Sequence, residues 1–115
     1  MDLNHFNKLL MEFREQELDL LQSKRAEYAD DRDVLRNFKE QAEFSNITPL
    51  QIGLVLVFKH IQSIKEAVIE RKLNWEWETS EGREGTKQRI ADARNYLLLL
   101  AAIIEEEELK WRNSK

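Results

Sequence analysis

Residues with chemistry to offer fall in three short clusters. The first is an acidic turn, Asp30, Asp31 and Asp33, followed by Asn37 and Phe38. The second is the pair Lys59-His60, and the third is Arg89, Asp92, Asn95 and Tyr96. Carboxylates gathered in one turn are hard oxygen donors, and Mg2+ takes one or two of them alongside phosphate oxygens. Asp30, Asp31 and Asp33 could supply such ligands from the turn, and Glu66 or Asp92 from helices; Mg2+ is the cofactor this set would hold. His60 is a candidate acid–base group, with a hydrogen-bonded packing residue as its alternative. Together the clusters read as a pocket for a polar or phosphorylated ligand.

Spacing says how they meet. Arg89, Asp92, Asn95 and Tyr96 follow one another at steps of three and four, so they share one helical face that runs on into Leu99 and Ile103. Lys59, Gln62, Ser63 and Glu66 form a polar stripe by the same arithmetic. If the two helices pack antiparallel, Asp92 pairs with Lys59 and Asn95 bridges to the acidic turn. A buried ion-pair network that only fixes helix register is the structural alternative. For the aspartates that alternative is capping, since Asp accepts the open N–H groups of a first helical turn. No EF-hand loop, phosphate-cradling glycine loop or Ser/His/Asp arrangement is present.

The elements that must position these residues are helices. Leu3, Phe6, Leu10, Phe13, Leu20 and Leu21 recur near helical spacing and predict an amphipathic helix over 3–28. Glu17 interrupts its stripe, so its middle is expected to face solvent or a partner. A short second helix carries Val34, Leu35, Phe38 and Ala42. Thr48-Pro49-Leu50-Gln51 is a helix start with a capping box and proline at the first position, predicting a third helix over 49–72. Its first half, Ile52 and Leu54 to Phe58, is apolar all round and is expected at the centre of the fold. Residues 73–85 form a surface loop whose Trp75 and Trp77 either cover the core edge or stack on a ligand. A last helix over 86–112 carries a core stripe of Ile90, Ala93, Leu97, Leu100, Ala101 and Ile104. Its Glu105–Glu108 run reads as a solvated face with Glu106–Lys110 and Glu108–Arg112 pairs. The fold class is all-α, a bundle of about four helices.

Composition bounds the rest. A chain of 115 residues is one domain with a single core, 1–115. With 42% hydrophobic and 35% charged residues it is globular rather than disordered. The absence of cysteine excludes disulfides and thiolate chemistry. A net charge of −4 makes nucleic acid an unlikely partner, because a phosphate backbone calls for clustered Lys and Arg. Asp2, His5 and Glu12 leave no signal-peptide core, and no apolar run reaches the ~20 residues of a membrane span. No membrane contact and a cytoplasmic location (that of the host cell if the gene is a phage's) are therefore expected.

Lys24 to Asp31, Asp33, Leu35-Arg36-Asn37-Phe38, Lys59, and Asp92-Ala93-Arg94-Asn95-Tyr96 together resemble small phage and prophage proteins of the nucleotide modification associated domain 1 group. That group is distantly similar to the all-α nucleoside triphosphate pyrophosphohydrolases, the MazG-like and dimeric dUTPase superfamily. The likeness spans about residues 24 to 104, keeps motif order, and implies a helical bundle, a homodimer or higher assembly, and a nucleotide-related role. Catalytic members hold magnesium with an E-x-x-E pair and a later E-x-x-D pair. Here Glu40-Gln41-Ala42-Glu43 has the first spacing, whereas the second reads Arg89-Ile90-Ala91-Asp92. Arginine there removes a metal ligand and adds positive charge, which fits holding a phosphate without turnover. Two functions follow as expectations: a nucleotide-binding protein, in which hydrolysis would be vestigial, or a non-catalytic interaction protein that self-associates or acts on a host protein. The first requires Asn37, Lys59 and Asp92 to converge on one open pocket.

Overall fold

The computed structural model describes residues 1–28, 33–70 and 73–114, with side chains 24–28 outside that description. The chain is all-α, with four helices: α1 Leu3–Tyr28, α2 Arg36–Ser45, α3 Pro49–Ile69 and α4 Thr86–Asn113. Among the described residues, no helix is long and apolar enough to cross a membrane.

Helix ends follow local chemistry. Thr48 accepts the Gln51 N–H at 3.1 Å while the Gln51 side chain accepts the Thr48 N–H at 2.9 Å, and Pro49 opens α3. Helix α2 starts later than Val34, because Leu35 has left helical geometry and is its N-cap. Asp33 supports that turn by accepting the Leu35 N–H at 3.0 Å. Asn46 closes α2 in the left-handed region, where its backbone N–H reaches back to the last carbonyls. Helix α3 ends at Ile69, short of the expected residue 72.

Helices α3 and α4 form an antiparallel hairpin. Its spine is tight at Gly53, where an added Cβ would lie 3.0 Å from Leu100 Cδ1 and 3.1 Å from Ile103 Cδ1. Helix α2 lies across one face, and Leu35, Phe38 and Ala42 bury themselves against Ile52 and Ile103. Helix α1 runs parallel to α4, as its cross-contacts Glu12–Lys87 and Glu17–Arg94 require. Glu17 thus faces α4, not solvent: its carboxylate lies 2.9 Å from Arg94 Nε, an ion pair that makes the polar break in the stripe a contact.

The 73–85 loop is pinned to α1 and α4. Phe13 is buried with ring centroids 4.9 Å from Trp77 and 6.4 Å from Trp75. Glu12 accepts from both Trp77 Nε1 and Lys87 Nζ at 2.7 Å. Trp77 therefore covers the core edge, and Lys87 sits 5.4 Å above the Trp75 ring.

The first half of α3 is not central. Only Ile52 and Gly53 are buried there, while Leu54, Val55, Phe58 and Ile61 are exposed. The described chain covers α3 on the sides that meet α2 and α4 and leaves its remaining face open. The glutamate run departs from expectation as well: Glu106 turns inward to Lys39 at 2.7 Å while keeping Lys110 at 3.2 Å. No Glu108–Arg112 pair forms among the described residues.

Candidate functional site

Beside the core lies a groove of about 630 Å³ between the C-terminal half of α1, the start of α2 and the middle of α4. Leu18, Leu21, Val34, Leu56 and Leu99 make its walls apolar. Phe38 and Tyr96 bring aromatic rings, and Asn37, Gln22 and Glu105 bring polar groups. The rings are organised: Phe38 meets Tyr96 edge-on at 6.1 Å, and His60 lies against Tyr96 at 4.3 Å and 32°. Each ring comes from a different helix, so the groove's inner wall is fixed by core packing.

Of the candidate residues, Asn37 and Tyr96 line this groove and His60 backs it. The Asn37 side chain is half-buried and makes no hydrogen bond to another described residue, so at the groove's lining its two donors and its acceptor are unspent.

The remaining candidates are used differently. Lys59 is exposed and away from Asp92. One residue of helix is ~100° of rotation, so turning His60 toward Tyr96 turns Lys59 off the α4 side. Asp92 is buried and accepts from Gln88 at 3.5 Å. Asn95 does not bridge to the acidic turn; its amide donates to the Glu17 carbonyl of α1 at 3.3 Å. Arg89 donates to the Ser63 carbonyl of α3 at 3.4 Å. Asn95 and Arg89 thus tie helices together, in keeping with the register-fixing alternative. Asp30 and Asp31 lie outside the described residues.

Asp33, the remaining acidic candidate, belongs to an ionic relay. Lys39 Nζ lies 2.6 Å from Asp33 and 2.7 Å from Glu106, linking the entry of α2 to α4. The Lys39 ammonium holds both carboxyls below their ordinary values, and those two carboxylates hold the ammonium above its own. Lys87 and the Trp77 N–H likewise hold Glu12 low.

The expected metal pairs do not assemble. Glu40 is exposed and pairs with Arg36 at 2.8 Å, and Glu43 is exposed. Among the described residues, no three His, Asp or Glu side chains are grouped to hold a metal ion. Sequence reasoning missed the α1 wall of the groove, Leu18, Leu21 and Gln22, because their role depends on α1 lying parallel to a helix some 77 positions on, as the 3.6-residue period brings them level with α4. It also missed Lys39 and Glu106, which carry no local signal. Comparison with known proteins finds no family model, curated protein or solved structure similar to this chain.

Proposed function

We propose that this protein binds a planar, nucleobase-sized ligand in the α1–α2–α4 groove and does so without catalysis. The observation that carries the reading is the Asn37 side chain, unspent and accessible beside the Phe38 and Tyr96 rings. A nucleobase offers a flat apolar face and an edge of alternating donors and acceptors. An amide can meet that edge with two hydrogen bonds, and an aromatic wall suits the face. A groove of about 630 Å³ is within the range of small-molecule sites. The resemblance to nucleotide-handling phage proteins points the same way, since Asn37 and Tyr96 belong to its motifs.

Binding is favoured over hydrolysis because, among the described residues, three of the carboxylates that would carry a metal are engaged within the fold. Glu40 pairs with Arg36, Asp33 with Lys39, and Asp92 is buried beside Gln88. The three residues expected to converge do not: only Asn37 lines the groove, Lys59 is exposed elsewhere and Asp92 is buried, so the proposal is confined to the base and does not extend to its phosphates.

A thermal-shift panel of nucleobases, nucleosides and nucleotides, each with and without Mg2+, tests this. A ligand held by the native state raises the melting temperature by mass action. A rise selective among bases and independent of Mg2+ is expected, and a flat response across the panel would remove the reading. The second reading, an interaction protein that self-associates, is favoured by the apolar side chains left open on α3 and α4.

A further inference from the structure

Helix α4 gives the groove one wall of graded size and a charge at its end. Leu98, Ala101, Ala102 and Glu105 all line the groove and step along the helix by three, one and three, so they form one stripe. Leu98 is large, whereas Ala101 and Ala102 are small, and the wall recedes there to leave room. Glu105 follows one turn beyond Ala101. The next residue, Glu106, is held 2.7 Å from Lys39 in the first turn of α2. The α4 turn that carries Glu105 therefore lies beside the α2 turn that carries Asn37.

Glu105 is exposed and makes no hydrogen bond or ion pair with another described residue. It is also the one charged side chain among the described residues that line the groove. Its chemistry differs from that of Asn37 in a decisive way. An amide both donates and accepts, so Asn37 can meet an amino edge or an oxo edge of a heterocycle equally well. A carboxylate only accepts. Facing Glu105, an exocyclic amine supplies the N–H that the carboxylate needs, whereas an oxo group sets acceptor against acceptor. Proteins read cytosine by a carboxylate on its amine, and adenine by an amide on its amine and ring nitrogen. A phosphate finds no counter-charge among the described lining residues.

We infer that Glu105 is the specificity-determining residue of the groove, selecting unphosphorylated heterocycles that carry an exocyclic amine over their oxo counterparts. This selection, which rests on the base-binding reading above, narrows the ligand class to amino-bearing bases and their nucleosides.

Calorimetric titration with matched pairs tests it: cytidine against uridine, adenosine against inosine, and adenosine against its 5′-monophosphate. The amine-bearing member of each base pair is expected to bind about 10-fold more tightly, the worth of one hydrogen bond to a charged acceptor near the surface. The 5′-phosphate is expected to bring no gain. Glu105→Gln, whose amide can donate as well as accept, should bring each pair to within about 3-fold while leaving the melting temperature unchanged. Glu107→Gln, about 200° further round α4, should keep the preference. Ala101→Leu, at an exposed position that tolerates bulk, fills the receding wall and should remove binding of both members. Equal binding within the pairs, or a preference that survives Glu105→Gln, overturns the role of Glu105 and leaves the base site standing. Tighter binding of the monophosphate overturns the selection against phosphate. A panel in which nothing binds, or binding indifferent to Ala101→Leu, overturns the base site itself and the role of Glu105 with it.

Discussion

The Asn37 side chain is half-buried and hydrogen-bonded to no other described residue, so replacing it should cost the fold little and a ligand much. Asn37→Ala is expected to lower ligand affinity about 10-fold, the worth of one or two hydrogen bonds, while shifting thermal stability by under ~1 kcal/mol. Calorimetric titration beside a melting curve separates the two effects. The relay Asp33–Lys39–Glu106 makes the opposite prediction, a structural role without a ligand role. Its carboxyls titrate below their ordinary values when folded, so their stabilisation is whole at neutral pH and above. It fades as pH falls below about 4 and through the lowered folded values. Lys39 titrates above its ordinary value, so its share is whole below that value and is lost only in strong alkali. Lys39→Met should therefore lower stability at pH 7 by about 1 kcal/mol, since the site is partly exposed, and flatten the acid limb of a stability–pH curve. Sequence marked Asp33, Asn37, His60 and Tyr96 as polar or aromatic groups needing company, but not which company. Lys59 and His60 are neighbours in sequence, and only rotation about α3 decides that His60 meets Tyr96.

At the scale of elements, the start of α3 was legible because its signal is local and redundant: cap, proline and returning glutamine within four residues. Thr48→Ala removes one limb of the capping box and should cost about 1 kcal/mol, read from denaturant unfolding at unchanged m-value. The 73–85 loop was legible as a loop, but not as one packed tightly against α1 and α4. Gly85 shows how close the packing is: a Cβ there would lie 1.9 Å from the Glu76 carbonyl oxygen, a backbone atom that cannot swing aside. Gly85→Ala should thus destabilise the protein by more than ~2 kcal/mol and loosen Trp77 from Phe13, seen as a red shift of tryptophan fluorescence. The burial of α3 was not legible. A run such as Leu54-Val55-Leu56-Val57-Phe58 reads the same whether its own chain or another molecule covers it.

For the whole molecule, four helices and their order were readable from periodicity, whereas the pairing was not. Nothing local says that α1 runs along α4, yet that choice turns Glu17 inward, spends Asn95 on an α1 carbonyl and opens the groove between α1 and α4. The polar residues expected to converge thereby divide between tying helices together and lining a groove. In the proposed function, the unspent Asn37 amide and the Tyr96 wall together hold a planar ligand. The most direct test of this is a nitrogen–proton NMR titration of the protein with the base, nucleoside or nucleotide that stabilises it most. Shifts centred on the Asn37 side-chain amide, with backbone changes near Phe38, Tyr96 and Leu99, are the predicted result. Shifts confined to other surfaces, or an Asn37 amide unmoved at saturation, would contradict it.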